Sequence, residues 1–273
     1  MIIDMHTHTF PKKIADRAVS SLSSTSGLTP STNGRRTQLI ESMDKCGIAF
    51  SLLLPVATSG KMVESLNNAA IENNSSDRFV SFGAMHPAYG DSGKKREELQ
   101  RIKAAGIKGV KLHADYMKRY IDDGEMLEIM KLCAKEDLIV TLHMGVDLSF
   151  CERVRCTPER LSHILPLLGE GKVVCAHMGG VNYSRDTIRY LRSTGVYFDT
   201  SAMTGMFKRE EEKGENEELK RLFDAIDIKR IMFASDSPWS AQSDCIRDVK
   251  ALHLSAEDEE AVMSLNAKAL LSY

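Results

Sequence analysis

The chain begins Met1-Ile-Ile-Asp-Met-His-Thr-His-Thr-Phe10, a short apolar run that ends in two histidines. Such a run is typical of a β-strand, and side chains two residues apart on a strand share one face. We therefore expect His6 and His8 to lie side by side, with Asp4 deeper on the same face, where it orients or packs. Two neutral imidazoles held together are half of a metal site, and they suit zinc, copper, iron or nickel better than calcium or magnesium.

Further strand-like runs follow the first, and segments of helical spacing separate them. The eight predicted strands are Ile2–His8, Ala49–Val56, Phe79–His86, Gly109–His113, Ile139–His143, Val173–His177, Val196–Ser201 and Ile231–Asp236. The predicted helices are Thr37–Cys46, Lys61–Asn73, Lys94–Ala105, Gly124–Glu136, Thr157–Leu168, Ser184–Ser193, Glu217–Ile226, Ser243–Leu252 and Ser255–Ser264. Strict alternation predicts an α/β fold with a parallel sheet, and eight repeats predict a (β/α)8 TIM barrel. We expect residues 1–273 to form one domain.

Two polar stretches interrupt this pattern. Ser20–Arg36, rich in Ser, Thr and Gly, is predicted to be a mobile loop after the first strand. Lys208–Glu218 is a run of charges, and it is predicted to be a solvated loop or helix face.

Composition and charge indicate which partners to expect. The formal net charge is −2, with 36 basic and 38 acidic residues, and it gives no electrostatic reason to expect nucleic acid or an anionic membrane. No run approaches the roughly 20 apolar residues that a bilayer span needs. The six cysteines are scattered without a Cys-x-x-Cys pair, which argues against a disulfide framework. We expect a soluble, cytoplasmic protein with a small-molecule substrate and without nucleic acid or membrane partners.

Ligand-type side chains recur where the predicted strands end, and in such barrels the carboxyl ends of the strands carry the active site. They are His6 and His8 on the first strand, Lys111 and His113 on the fourth, His143 on the fifth, His177 on the sixth and Asp236 on the eighth. Five of the eight histidines of the chain therefore belong to one rim. Such a cluster is what a metal site at a barrel mouth requires.

The motifs around these residues resemble the amidohydrolase superfamily of metal-dependent TIM-barrel enzymes. They are Asp4-Met-His-Thr-His8, Gly109-Val-Lys-Leu-His113, Leu142-His-Met-Gly145, Ala176-His-Met-Gly-Gly180, Ala234-Ser-Asp-Ser-Pro-Trp239 and Asn266-Ala-Lys-Ala-Leu-Leu271. The chain looks most like the amidohydrolase 2 branch, which includes aminocarboxymuconate semialdehyde decarboxylase, resorcylate-type decarboxylases and lactone hydrolases. The motifs are specific for the superfamily and much less so for the reaction, because one barrel supports many chemistries.

The resemblance implies a role for each of the rim residues. His6, His8 and His143 would bind a divalent metal, with zinc as the first choice, and Asp236 would bind it and hydrogen-bond its water. His177 would either bind metal or orient and protonate at the reacting centre. Lys111 matches the lysine that bridges two metals as a carbamate in binuclear members. In the branch that the chain resembles more closely, however, this lysine accompanies a single metal, so we favour one ion over two.

These roles imply a metal-dependent hydrolase of a small-molecule amide, ester or lactone. Metal hydroxide would be the nucleophile, Asp236 the general base, and His177 or Lys111 would stabilise the oxyanion. The alternative is a non-oxidative decarboxylase of an aromatic or dienyl acid, in which a protonated Asp236 or a histidine delivers a proton to carbon. The short loops of this chain place the decarboxylase second. A third interpretation is a metal-stabilised scaffold without activity.

Two further residues are candidates for substrate contact. His113 lies two residues after Lys111 on the same strand face, and its alternative role is that of a hydrogen-bonded rim histidine. Trp239 follows the eighth strand and would line the pocket, with packing as the alternative. The resemblance is also compatible with a homodimer.

Overall fold

Parallel strands form the centre of the structure, a computed structural model that describes residues 1–203 and 217–272. The strands are β1 (Ile2–Thr7), β2 (Ile48–Leu53), β3 (Phe79–Ser81), β4 (Gly83–Ala84), β5 (Gly109–Leu112), β6 (Ile139–Leu142), β7 (Val173–Cys175), β8 (Tyr197–Asp199) and β9 (Ile231–Met232). They pair in sequence order, β1 to β3 in one sheet and β4 to β9 in another. All of these pairs are parallel.

The two sheets join into one closed barrel. Only Phe82 separates β3 from β4, so these strands are the two halves of the third predicted strand, and the Phe82 N–H donates to the Leu53 carbonyl at 3.0 Å. On the other side, the Met5 N–H donates to the Phe233 carbonyl at 3.0 Å, and Thr7 pairs with Ser237 in a parallel bridge. The predicted (β/α)8 TIM barrel is therefore confirmed.

Helices separate the strands, as the spacing predicts. The α-helices of the described residues are α1 (Ala15–Ser26), α2 (Arg36–Cys46), α3 (Val63–Asn73), α4 (Ser92–Ala104), α5 (Ala114–Met117), α6 (Gly124–Lys135), α7 (Pro158–Ile164), α8 (Ser184–Tyr190), α9 (Glu217–Ala225), α10 (Gln242–Lys250), α11 (Ala256–Glu260) and α12 (Asn266–Leu271). Within the described ranges, no helix is both long enough and apolar enough to cross a membrane. All six cysteines lie in these ranges, and none of them forms a disulfide bond.

The prediction of a mobile loop over Ser20–Arg36 is wrong for its first part. Helix α1 extends to Ser26 and ends at Gly27, whose φ of 75° allows the left-handed turn that stops the helix. The Ser24 and Thr25 hydroxyls donate to backbone carbonyls four residues earlier, so the hydroxyls that suggest a loop are satisfied within the helix. Of the charged run Lys208–Glu218, residues 208–216 lie outside the described ranges, and the last two begin α9.

The prediction that Asp4 shares a face with His6 is also wrong. Asp4 pairs with Ser51 and Thr7 pairs with Leu53, so β1 has one more residue than β2 over this interval. An extra residue of this kind is a β-bulge, which changes the face that the following side chains occupy. Asp4 is fully buried and packs against helix α10, where it accepts hydrogen bonds from Gln242 Nε2 at 2.7 Å and Ser235 Oγ at 2.6 Å.

The Asp4→Asn variant should be more stable than the wild type at neutral pH. Burial raises the pKa of Asp4 from 3.8 to about 6, so the folded wild type loses stability as pH rises from about 4 to 6. The ceiling of this loss is about 3 kcal/mol, at roughly 1.4 kcal/mol per pKa unit. The asparagine NH2 can donate to Gln242 Oε1, which is buried without a partner among the described residues, once the Gln242 amide turns over. The Ser235 hydroxyl loses its acceptor, which makes the gain smaller than this ceiling.

Urea unfolding of the metal-free proteins between pH 4 and 7 measures this effect. The advantage of Asp4→Asn should be largest at pH 7 and should shrink as pH falls towards 4, where the wild-type carboxyl is protonated in both states. A variant that is less stable than the wild type at pH 7 contradicts the prediction.

Candidate metal centre

The carboxyl ends of β1 and β9 bring three predicted ligands together. His6 lies near the end of β1, His8 follows that strand, and Asp236 follows β9. Asp236 Oδ1 is 3.2 Å from His8 Nε2 and 3.5 Å from His6 Nε2, and the two Nε2 atoms are 3.2 Å apart. One ligand atom of each residue lies within 4.8 Å of the other two. These three side chains therefore surround one point.

The hydrogen bonds of the two imidazoles identify which ring nitrogens are free to bind a metal. His8 Nδ1 is 2.8 Å from the Leu54 carbonyl, which can only accept, so Nδ1 carries the proton. His6 Nδ1 is 2.9 Å from Asp199 Oδ2 and donates to that carboxylate. Both Nε2 atoms therefore carry lone pairs that face each other and Asp236. Lone pairs and a carboxylate oxygen repel one another unless a cation lies between them, so this donor set fits a divalent metal such as zinc.

The buried charges of the site favour this state of protonation. Burial lowers the pKa of His6 to about 3, and the Lys111 ammonium adds to the shift, so His6 is neutral at pH 7. Burial raises the pKa of Asp236, but attraction to the positive charge that His6 carries at low pH outweighs burial and holds the pKa well below its ordinary value. Asp236 is therefore a carboxylate, which is the form that binds metals.

Lys111 is the cation of this site. It lies on β5 with 1% of its surface exposed, and its Nζ is 3.2 Å from His6 Nε2. Burial lowers its pKa to about 8, although Asp199 and Asp236 attract the ammonium and oppose the shift. The ammonium is consequently the main form at pH 7, and it loses its proton more easily than an exposed lysine.

His177 and His143 meet next to this cluster. His177 Nε2 is 3.0 Å from His143 Nδ1, and the His6 and His177 rings stack with centroids 5.2 Å apart. The glycines of the two His-Met-Gly motifs allow this approach, because a Cβ added to Gly145 would lie 2.6 Å from the Gly180 Cα. The structure therefore joins His143 to His177 rather than to the set of His6, His8 and Asp236.

Two of these residues adopt unusual backbone conformations. His177 has φ of 59° and Asp236 has φ of 66°, both in the left-handed region that non-glycine residues rarely occupy. Such residues cluster at functional sites, where the surrounding structure holds them in place. The backbone thus agrees with the side chains in marking this rim as a functional site.

His113 forms the outer edge of the cluster. Its ring stacks on that of His143 with centroids 3.9 Å apart and an interplanar angle of 12°, and its Nε2 is 3.1 Å from Asp147 Oδ2. One ligand atom of each of His113, His143 and Asp147 also lies within 4.8 Å of the other two, but the nearly parallel stacking of the two rings is a less favourable arrangement for a shared ion than the edge-on approach of His6 and His8. Trp239 is partly buried, and its backbone N–H donates to the backbone carbonyl of Asp236 at 2.9 Å. Substrate contacts by His113 and Trp239 stay predictions.

Asp199 and Ser201 belong to the site although the sequence analysis does not select them. Asp199 contacts His6, and Ser201 Oγ lies 3.1 Å from His6 Nδ1 and 2.8 Å from His177 Nδ1. Burial raises the pKa of Asp199, but attraction to His6 and its hydrogen bond bring the pKa down to about 2. The available signal is the acidic residue that follows the apolar half of the seventh predicted strand, Val196–Ser201, because an unpaired carboxylate is rarely buried.

Comparisons with known proteins show the family to which the chain belongs. The sequence profile of the amidohydrolase family known as amidohydrolase 2 matches residues 3–272. No curated protein matches the chain.

Several solved structures share the fold. A 2,6-dihydroxybenzoate decarboxylase from Rhizobium is 18% identical with a TM-score of 0.72, and the match covers 99% of this chain and 98% of that one. A probable 2-pyrone-4,6-dicarboxylic acid hydrolase from Acinetobacter baumannii is 16% identical with a TM-score of 0.69, and the match covers 100% of this chain and 99% of that one. A 5-carboxyvanillate decarboxylase from Sphingomonas paucimobilis is 14% identical with a TM-score of 0.68, and the match covers 99% of this chain and 98% of that one.

At such identities the structural likeness shows the fold alone, and the family assignment comes from the sequence profile. That profile spans the barrel from β1 to α12. The chain belongs to the amidohydrolase 2 family of metal-dependent TIM-barrel enzymes.

Proposed function

We propose that the chain is a metal-dependent hydrolase of a small-molecule amide, ester or lactone. The observation that carries the proposal is the convergence of two imidazole lone pairs and an ionised carboxylate on one point beside a buried ammonium. His6, His8 and Asp236 would hold the ion. A divalent metal bound there would lower the pKa of water and polarise a carbonyl group.

The protein groups around this point have complementary roles in hydrolysis. Asp236 is a carboxylate at neutral pH, and it would accept a proton from the attacking water and return it to the leaving group. The Lys111 ammonium would stabilise negative charge on the carbonyl oxygen, in surroundings where burial keeps bulk water away. His177 is neutral because burial lowers its pKa, so it would orient the substrate by hydrogen bonding.

We propose one zinc ion per chain rather than two. A second ion would need Lys111 as an anionic carbamate. Burial lowers the pKa of Lys111 to about 8, and because attraction to Asp199 and Asp236 opposes this shift, the ammonium is still the main form at pH 7. Elemental mass analysis of protein grown with supplemented zinc and bicarbonate should therefore give one equivalent. Two equivalents would contradict the proposal and assign the carbamate, and none in a folded protein would contradict the metal site itself.

The second candidate is a non-oxidative decarboxylase, and the observation that favours it is Lys111. With a pKa of about 8, this ammonium is a suitable proton donor to carbon near neutral pH, whereas Asp236 is too acidic to carry the proton. Two of the structural neighbours are named as a 2,6-dihydroxybenzoate decarboxylase and a 5-carboxyvanillate decarboxylase. The substrate would then be an aromatic or dienyl carboxylic acid.

Isotopes in the solvent distinguish the two reactions. We would screen small lactones, esters, amides and hydroxybenzoates with the zinc-loaded protein in water enriched in oxygen-18 and deuterium. A hydrolase places solvent oxygen in the carboxylate of its product, whereas a decarboxylase releases carbon dioxide and places deuterium on carbon. We expect the first result, and the second would replace hydrolysis with decarboxylation. The cytoplasmic location and the homodimer stay predictions.

A further inference from the structure

A carboxylate and a hydroxyl at the end of β8 contact two histidines from other strands. Asp199 and Ser201 are both 0% exposed. Asp199 Oδ2 is 2.9 Å from His6 Nδ1, and Asp199 Oδ1 accepts the N–H groups of His177 at 3.0 Å and Ser201 at 3.1 Å. The Ser201 hydroxyl also donates to Asp199 Oδ1, and its oxygen lies 2.8 Å from His177 Nδ1. One small polar unit therefore reaches both rings.

The directions of these hydrogen bonds follow from which groups can only donate. A backbone N–H group can only donate a hydrogen bond, so Asp199 Oδ1 accepts from the N–H groups of His177 and Ser201. Since the Ser201 hydroxyl gives its proton to the same oxygen, its lone pairs face His177 Nδ1 and accept from it. His6 Nδ1 likewise donates to Asp199 Oδ2. Each ring then carries its proton on Nδ1 and a lone pair on Nε2.

We propose that Asp199 and Ser201 are positioning residues that hold both His6 and His177 in the tautomer with the proton on Nδ1. The Nε2 atom of His6 is thereby kept as a metal ligand, and that of His177 as an acceptor towards His143. An imidazole in the opposite tautomer presents an N–H to the ion and does not bind it. The role of the His6 Nε2 lone pair in binding metal rests on the proposed function. The tautomers themselves are a property of the metal-free protein.

The variant Asp199→Asn tests this role because its amide has only one acceptor oxygen. The two backbone N–H groups at Oδ1 require that oxygen, so the amide NH2 must face His6 Nδ1. His6 Nδ1 would then accept a hydrogen bond from this NH2, and the ring proton of His6 would lie on Nε2. We expect zinc affinity to fall by about 10- to 100-fold, the usual effect of losing the outer partner of a metal-binding histidine.

Two measurements read this out without enzyme activity. Nitrogen NMR of metal-free protein labelled at histidine distinguishes the protonated from the unprotonated ring nitrogen, and competition with a chromophoric chelator gives the zinc affinity. The control is Asp4→Asn, which changes a buried carboxylate on β1 that accepts the backbone N–H of His6 at 3.2 Å and not a ring nitrogen. Since the asparagine oxygen can accept the same N–H, this variant should keep both properties of the wild type. An Asp199→Asn protein with unchanged His6 signals and zinc affinity would overturn the proposal.

The milder variant Ser201→Ala keeps the proposal testable if Asp199→Asn does not fold. It leaves Asp199 Oδ2 in place, so His6 should keep its tautomer. His177 should become a mixture of tautomers, because its remaining Nδ1 acceptor, the Ser201 carbonyl, is 3.3 Å away. Unchanged His177 signals would overturn the proposal. If the wild type binds no zinc, the proposed function fails, and the NMR result still decides the tautomers.

Discussion

Asp236→Asn should abolish most turnover while the barrel stays folded. The amide has nearly the shape of the carboxylate, but it accepts no proton from water and carries no charge towards the ion. Losing a general base typically reduces the rate by about 10²- to 10⁴-fold, so we expect kcat at saturating zinc to fall within or beyond this range. The measurement is steady-state kinetics on a substrate from the isotope screen, with circular dichroism to verify the fold.

The matched control for this variant is Asp244→Asn. Asp244 is a partly exposed carboxylate on α10 that pairs with Arg247 at 2.7 Å, and it lies outside the site. The Asp244→Asn variant should retain wild-type kcat and zinc content. If Asp236→Asn keeps more than a tenth of the wild-type kcat, Asp236 is not the general base. If it binds zinc normally but has lost turnover, the carboxylate acts mainly on the proton.

His8→Ala should lose its metal. The His8 ring is held by the Leu54 carbonyl, and its Nε2 is one of three ligand atoms at the centre. Removing an outer partner of a ligand already costs about 10- to 100-fold in affinity, so removing the ligand should cost at least about 100-fold. We expect the zinc content after gel filtration to fall from one equivalent to nearly none, and activity to fall with it.

Thermal unfolding gives a second readout for His8→Ala. Zinc at about 100 times its dissociation constant should stabilise the wild type by about 2.7 kcal/mol, and the same concentration should have little effect on the variant. His163→Ala is the control, because His163 is exposed on α7 and is not one of the predicted ligands. Normal zinc retention by His8→Ala would remove His8 from the ligand set and would require a different centre.

Much of the site was predictable because its main residues end predicted strands. His6, His8, Lys111, His177 and Asp236 follow from the order of strands and from the rule that barrel sites lie at carboxyl ends. The meeting of His6, His8 and Asp236 agrees with that expectation. The association of His143 with His177 does not follow from the rule. Strand order predicts that a residue lies on the rim, but it does not predict which neighbouring side chain its ring contacts.

Two local errors have the same kind of cause. Composition suggests a loop over Ser20–Arg36, but buried Ala15 and Val19 anchor a helix whose hydroxyls bond to its own turns. Alternation suggests that Asp4 faces the site, but the bulge between Asp4 and Thr7 interrupts the period of two. In both cases a contact elsewhere in the fold outweighs the local preference.

The sequence by itself therefore determined the barrel and the rim on which its ligand-type residues lie, because hydrophobic periodicity and residue type are properties of the chain alone. The tertiary structure decided which nitrogen of each histidine is free and how Asp199 and Ser201 hold two rings. Those features depend on closure of the barrel, which brings the end of β1 to the ends of β7 and β8, although β1 lies far from both along the chain. Hydrogen-bond direction between side chains exists only once the barrel has closed and brought their strands together.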